Sequence, residues 1–274
     1  MKFKNLEDKC QYYRSLTDYR ILPNSNILVM LDGKKFSTLI KNNFKKPFDD
    51  TFIDMMNRTA QFLCNNVQGV KFAYTQSDEI SLLITDYDTP NTDTPFGGRI
   101  CKLQSLLASL ATSEFNRWFT IWNLNKCKDN VDVGKFISKM KMAQFDCKVW
   151  TVPSLNDAYA WFLYRQIDCV RNSKQQTAQT YLPNTQLLNL DTDKQIEMCK
   201  NESGIDWNSF EDIYKYGRFV YKFPEHFSKT LSDETNVEFE RNKFKVVPAF
   251  LLNENKEQFF EIIKNSIKKT DYED

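Results

Sequence analysis

Three carboxylates are spaced as if to meet. Asp32 closes the apolar run Asn26-Ile27-Leu28-Val29-Met30-Leu31 and is followed at once by Gly33. Asp78 and Glu79 split two further apolar runs, Val70 to Tyr74 and Ile80 to Ile84. Short apolar runs stopped by turn residues read as buried strands. If the strands are neighbours, the acids converge at one sheet edge, a costly arrangement unless a hard cation neutralises it. Mg2+ suits such oxygen donors, with water or substrate phosphate completing its shell. Two ions ~3.5–4 Å apart would form a phosphoryl-transfer clamp. Asp is also an ordinary turn residue, and Asp78-Glu79 alone would be read that way. Asp32 immediately before Gly33 is the second signal that favours a metal site.

Basic residues follow Asp32 in GKKFSTLIKNNFKKPFDD. Gly33 lets backbone N–H groups turn toward an anion, and Lys34, Lys35, Lys45 and Lys46 bring charge for a polyphosphate. For Lys41 and Lys45 a solvated loop is the preferred reading; for Lys46, beside Pro47, both readings stay open. Arg99 and Lys102 sit at i, i+3 at the start of a helix, where cations oppose the macrodipole and an external anion would explain them. An ordinary charged first turn explains them nearly as well. Arg165, Asp168 and Asn172 share one helix face, read here as a surface ladder ahead of a site wall. His226, the only histidine, is read as a surface residue, so Ser–His or Cys–His nucleophile chemistry has little support. Met55, Met56, Trp118 and Trp122 are read as packing residues, and Lys126 to Lys141 as a solvated face.

The elements that must position these groups are legible from their periodicity. Asp49 and Asp50 cap a helix with the stripe Phe52, Met56, Ala60, Leu63 and Val67, stopped near Gly69. Residues 87–98 form a turn-rich loop before a long helix carrying Ile100, Leu103, Leu107, Leu110 and Phe115 inward. Phe145 to Val152 is a strand. Ser154 with Asp157 then starts a helix that runs to about Tyr181. Asp191 to Lys200 reads as helix, Tyr214 to Phe223 and Val237 to Val246 as strands, and Phe259 to Ile267 as a last helix. The expected fold is α+β, helices packed on a mainly antiparallel sheet.

Composition narrows the classes further. With 41% hydrophobic residues in 274, the chain can bury a sizeable core. A net charge of +1 means any nucleic-acid surface must be a local patch. Seven cysteines without a CxxC pair argue against a zinc site or disulfide framework and for a reducing compartment. No apolar run reaches the ~20 residues of a membrane span. The N-terminal MKFKNLEDKCQYYR has no apolar core of a signal segment, so the cytoplasm is the expected location, with a mitochondrial one open.

The motifs LDGKKFS, KKPFDD, GVKFAYTQSDEISLL, FDCKVW and YRQIDCVRNS occur in this order. As an ordered set they resemble the tRNA-histidine guanylyltransferase superfamily, the reverse (3′-to-5′) polymerases, from the N-terminus to about residue 222. Within it, DCVRNSKQQT has Val170 where the guanylyltransferase branch carries a histidine, and only Asn172 matches clearly. The RNS pattern is similar to the guanylyltransferase-like branch, associated with template-dependent repair of tRNA 5′ ends. Lys148 stands where that strand motif usually has arginine, which keeps the charge but loses the bidentate fork.

The resemblance implies a polymerase-palm-like catalytic core in residues 1–150 and, in 151–274, a helix and strands that complete the fold and contact tRNA. It implies two Mg2+ ions held by Asp32, the Gly33 carbonyl and Asp78, with Glu79 in support. The triphosphate would lie along Gly33, Lys34, Lys35 and Phe36, with Lys46, Asp49 and Ser77 nearby. Arg99, Lys102, Lys148 and Asn172 would bind a second triphosphate or the tRNA 5′ end. ATP or a triphosphate end would activate the tRNA, GTP or another nucleotide would be added, and the assembly would be a homotetramer. Guanylate addition to tRNA-histidine is the nearest alternative. A nucleotide-cyclase-like palm enzyme is weakened because SDEIS lacks the cyclase turn pattern, and an inactive tRNA-binding protein because the acidic set is intact.

Overall fold

The computed structural model describes residues 2–89, 91–127, 132–230 and 236–267. Strands β1 (Asn26–Gly33), β2 (Val70–Gln76), β3 (Glu79–Thr85), β4 (Phe145–Val152), β5 (Arg218–Thr230) and β6 (Asn236–Pro248) form one sheet in the order β4-β1-β3-β2-β5-β6. Every pairing is antiparallel. The helices are α1 (Leu6–Ser15), α2 (Phe36–Asn43), α3 (Asp50–Asn66), α4 (Ile100–Asn125), α5 (Val133–Lys139), α6 (Leu155–Tyr181), α7 (Asn184–Leu187), α8 (Thr192–Ser203), α9 (Asp212–Lys215) and α10 (Lys256–Ser266).

The four central strands are apolar on both faces because helices cover both. Ile27, Val29, Leu31, Ile80, Leu82 and Ile84 pack with residues of α3 and α4 in one core. Leu28, Phe72, Tyr74 and Leu83 pack with residues of α6 and α10 in a second. A smaller cluster joins the end of α6 to α8 around Trp207. The fold is thus the expected α+β sheet with packed helices.

Local signals set the element ends. The Asp49 carboxylate caps α3 by accepting from the amides of Thr51 and Phe52. Ser154 caps α6 by accepting from the Asp157 amide, 3.2 Å away. Gly69 takes a positive φ of 80° in the turn into β2, and an added Cβ would lie 2.5 Å from the Thr85 carbonyl oxygen. Several boundaries depart from expectation: residues 36–43, read within a basic loop, form α2, and β5 runs on to Thr230 rather than ending at Phe223. Residues 212–215 form the helical turn α9, and the strand starts only at Arg218, after Gly217 with φ 81°. Alternating polarity cannot separate one helical turn from the start of a strand. Of the Lys-rich span, residues 128–131 lie outside the described residues; Val133–Lys139 form α5, with no buried residue. Met55 and Met56 are buried, Trp118 and Trp122 are partly buried against the first core, and the His226 side chain is exposed.

Phe36 anchors the loop after Gly33. Its ring is 1% exposed and lies 5.1 Å from Phe115, 5.0 Å from Phe145 and 6.2 Å from Phe52, centroid to centroid. Deleting such a ring forfeits transfer energy and leaves a cavity. Phe36→Ala is expected to lower unfolding free energy by ~3–5 kcal/mol in a denaturant titration, against under ~1.5 kcal/mol for a volume-conserving core exchange such as Met56→Leu.

Candidate active site

The β1–β3 register fixes the central geometry. Asp32 is paired directly with Glu79 across β3 and with Asp146 across β4. Directly opposed residues of antiparallel strands share a face, so three acids stand in one row. Asp78 occupies the two-residue turn between β2 and β3, after the closing pair Gln76–Glu79. A Cβ built on Gly33 would lie 2.9 Å from an Asp78 carboxylate oxygen and 2.4 Å from the Phe36 ring. Glycine is therefore what lets β1 end against the turn. Ser77 takes a positive φ of 47°, strained for a non-glycine residue, and its hydroxyl donates to Asp78 Oδ1 at 3.0 Å.

The charges on this row are compensated unevenly. Glu79 accepts both arms of the Arg165 guanidinium, Nη2 to Oε1 at 2.7 Å and Nε to Oε2 at 3.0 Å, and also the Gln76 amide at 2.7 Å. Arg165 donates as well to Asp168 at 3.0 Å, and Asn172 donates to the same Asp168 oxygen at 3.2 Å. Arg165 is 6% exposed. With Arg165 buried and Asp168 and Asn172 half-buried, this face is a network against the acidic row rather than a surface ladder; the tie to Glu79 spans 86 residues and leaves no local sequence signal. It also gives Glu79 the role of holding Arg165, distinct from the free acids.

Asp32 and Asp78 have no ion pair among the described residues. Burial pushes the Asp78 carboxyl up to about 6; the Ser77 hydroxyl pulls it down and Asp32 pushes it further up. Asp32 is raised by burial and by Asp146, and lowered by the Gly33 amide, Lys148 and Arg165. Burial also raises Glu79, opposed by Arg165. Among the described residues no group of three or more His, Cys, Asp or Glu side chains is arranged to hold a metal. The donors on offer are the Asp32 and Asp78 carboxylates, neither in an ion pair among the described residues, with Asp146 next to Asp32 in the register. Their hard oxygens fit a divalent cation that keeps several ligands from water or phosphate, as Mg2+ does.

The remaining sequence candidates divide into two groups. Lys34 and Lys35 are exposed on the loop between β1 and α2, and Lys46 on the loop before α3. The Lys34 amide donates to the Gln144 carbonyl at 2.8 Å and is not free to form an anion nest. Lys35 has φ 58° and leaves the start of α2 without a side-chain cap, so that helix end presents free N–H groups. The Phe36 ring belongs to the core, so only its backbone can reach a ligand. Asp49 spends one carboxylate oxygen on the cap of α3 and the other on the Lys45 amide at 2.9 Å, which shapes the loop. Lys148, exposed on β4 opposite Met30, is close enough to lower Asp32.

Arg99 and Lys102 are not brought to the acids. The Ile21 amide bonds to the Gly98 carbonyl, placing the start of α4 beside the segment leading into β1, whereas Asp32 is at the far end of that strand. On α4 it is Thr112 that touches the Asp32 end, accepting from the amide of Phe145, the partner of Gly33. From Arg99 to Thr112 is 13 residues, ~20 Å of helix. Arg99 is moreover paired with Asp18 at 2.6 Å, and Lys102 faces the Phe96 ring.

A cavity opens beside the acidic turn, between the loop before α3, α6 and α9. Ser77, Asp49 and Asn172 line it together with Phe44, Phe48 and Phe52. Phe48 stacks on Tyr214, centroids 5.0 Å apart at 15°, stiffening one wall. Its mix of aromatic surface with a few polar groups is the kind of lining that takes a small ligand.

A helix-covered antiparallel sheet thus brings Asp32 and Asp78 together beside this cavity. Residues 7–153 match the family described as Thg1, tRNAHis guanylyltransferase. The tRNA(His) guanylyltransferase of Kluyveromyces lactis is 30% identical over 214 residues, covering 73% of this chain and 84% of the relative. A bacterial Thg1-like protein solved in complex with ATP superposes with a TM-score of 0.78 at 25% identity, covering 94% of this chain and 99% of its own. The Saccharomyces cerevisiae tRNA(His) guanylyltransferase gives 0.62 at 25% identity, over 77% and 91%. The chain belongs to the tRNA(His) guanylyltransferase family and is an enzyme of the nucleotidyltransferase class. No helix among the described residues is long and apolar enough to cross a membrane.

The unpaired Asp78 makes metal-free stability depend on pH. Its folded pKa is raised from 3.8 to about 6, so the folded chain holds a proton that the unfolded chain has lost between those values. Its contribution therefore falls as pH rises from ~4 to ~6, by ~3 kcal/mol in all. Urea titrations with chelator are expected to show Asp78→Asn more stable than wild type by up to that amount at pH 7.5, and level with it at pH 4. Added Mg2+ is expected to raise wild-type stability at pH 7.5 and leave the variant unchanged.

Proposed function

We propose that this chain adds nucleotides to the 5′ end of truncated tRNA in the 3′-to-5′ direction, with the opposing RNA strand as template. The observation that carries the reading is the Asp32–Asp78 pair, neither acid in an ion pair among the described residues, beside a cavity lined by aromatic and polar side chains. Family membership supplies the substrate class, and the ATP complex of the bacterial relative supports ATP as the activating nucleotide.

In this reading Asp32, Asp78 and the Gly33 carbonyl would hold two Mg2+ ions, which neutralise polyphosphate charge and polarise the reacting phosphorus. The protein's own residues do the rest. The free N–H groups at the start of α2, with Lys34, Lys35 and Lys46, receive the triphosphate. Ser77 and Asn172 border the nucleoside in the cavity, and Asp49 fixes the loop that closes it. Lys148, beside Asp32, faces the 5′ phosphate of the RNA. Arg165, locked on Glu79 and Asp168, keeps the acidic row in register while leaving Asp32 and Asp78 free. The 5′ end is first activated by ATP or carries a triphosphate already. The 3′-hydroxyl of the incoming nucleotide then attacks that 5′ phosphorus, and AMP or pyrophosphate departs. Base pairing selects the nucleotide, so the RNA is held by backbone and shape, with residues 151–274 contributing to its contact surface. Arg99 and Lys102 stand outside the triphosphate site. We infer a homotetramer as the working form; α1, none of whose residues is buried, offers surface for such assembly.

Guanylate addition to tRNA-histidine is the second reading, favoured by the activity named for the Kluyveromyces lactis relative. One assay separates them. With Mg2+ and all four nucleoside triphosphates, tRNA lacking its first nucleotide is expected to be extended by the complement of the opposing base, whichever base that is. Asp32→Asn and Asp78→Asn are each expected to lower extension at least ~100-fold while keeping the wild-type circular dichroism spectrum. Guanylate added regardless of the opposing base would support the second reading. Extension unaffected by either substitution would remove the acidic pair from the chemistry.

A further inference from the structure

The outer face of α6 carries apolar side chains where a solvated helix normally carries polar ones. Ala160, Tyr164, Ile167 and Arg171 fall at i, i+4, i+7 and i+11 and are all exposed. Tyr164 is 56% exposed and Ile167 61%. A lone exposed ring needs no explanation, but this one is mounted. Trp161 lies 5.9 Å from the Tyr164 ring and 4.7 Å from Trp150 of β4, centroid to centroid. Trp161 is itself pinned, its Nε1 donating to Ser81 Oγ at 3.2 Å. The Arg165 guanidinium lies 5.2 Å from the Tyr164 ring and grips Glu79, the partner of Asp32. The ring is therefore tied to the acidic row while more than half of it faces solvent. Positive charge flanks it. Lys148 is exposed on β4, on the same sheet face as Trp150, and Arg171, bonded to Asp168, is exposed two turns along α6.

We propose that Tyr164 is a stacking platform for the opposing RNA strand, receiving the base immediately 3′ of the templating base. An RNA shortened at its 5′ end leaves opposing bases unpaired, with their π faces free. The templating base must meet the incoming nucleotide in the cavity, so it is the next base that needs support. Tyr164 borders the acidic row but does not line the cavity; along α6, Arg165 stands between it and the cavity-lining Asn172. An aromatic face accepts any base, which suits an enzyme whose nucleotide choice is made by pairing. Lys148 and Arg171 supply charge for the phosphates on either side. A second copy of this chain is the other candidate for an exposed apolar stripe, but the flanking cations and the adjoining acidic row favour RNA. The inference rests on the proposed extension of truncated tRNA and names where its single strand is held. A base stacked on an aromatic ring is worth about 5- to 100-fold in affinity.

Equilibrium binding with Mg2+ tests it on the full chain. The probes are tRNA lacking its first nucleotide and the same RNA with an abasic residue immediately 3′ of the templating base. Wild type is expected to bind the intact RNA about 5- to 100-fold tighter than the abasic one. Tyr164→Ala is expected to bind both at the abasic level, and Tyr164→Trp to keep the difference. With 2-aminopurine at that base, the wild-type complex is expected to be less fluorescent than the Tyr164→Ala complex, because stacking quenches it. Equal wild-type affinity for the two RNAs would overturn the proposal, as would a base dependence that persists in Tyr164→Ala. If Tyr164→Ala kept that dependence and changed the molar mass seen by light scattering, the stripe would belong to a second copy instead. Failure of the underlying reading has another signature: no templated extension of the intact RNA by wild type. The wild-type comparison of the two RNAs stands even if Tyr164→Ala does not fold.

Discussion

Electrostatic repulsion held in place by strand pairing governs this structure. Register puts Asp146, Asp32 and Glu79 side by side across three strands, and the β2–β3 turn adds Asp78. Like charges directly opposed in a sheet destabilise it, and partial burial sharpens the penalty. The pairing survives because the strands are otherwise apolar on both faces and covered by helices on both sides. The core holds the acids together; the acids do not hold the core.

Compensation is selective. One guanidinium on α6 takes Glu79 in a two-armed contact and reaches Asp168 as well. Lys148 and the Gly33 amide relieve Asp32 in part, whereas Asp78 receives the Ser77 hydroxyl and its own backbone amide but, among the described residues, no ion-pair partner. Had Arg165 reached Asp78, the site would be a closed ion-pair network with no place for a cation. Strain at Ser77 and the close approach at Gly33 have the same consequence: they hold Asp78 where a ligand can use it.

Much of this was written locally in the chain. Apolar runs broken at Gly33 and at Ser77-Asp78 mark β1 and the β2–β3 hairpin, and Ser154 with Asp157 marks the start of α6. Phe145–Val152 is a strand with the bounds its pattern indicates. What stayed hidden depends on distant pairing. Nothing near Arg165 points to Glu79, 86 positions away, so its helix face reads as a surface ladder. Arg99 and Lys102 carry a genuine helix-start signal, but only the tertiary placement of α4 shows which end of the sheet they occupy. Asp146 had a usable signal, since in FDCKVW it alternates with Lys148 and so shares its face. Its meaning appears only when β4 pairs with β1.

The most direct measurement counts metal ions at the acidic pair. Mn2+ titrated into the full-length protein with a non-hydrolysable GTP analogue, and followed by electron paramagnetic resonance, should show two bound ions. Asp32→Asn and Asp78→Asn should each lose at least one of them, whereas Lys102→Ala should bind as wild type does. Undiminished Mn2+ binding in both aspartate variants would contradict the account, because the two carboxylates would then be together for some other reason.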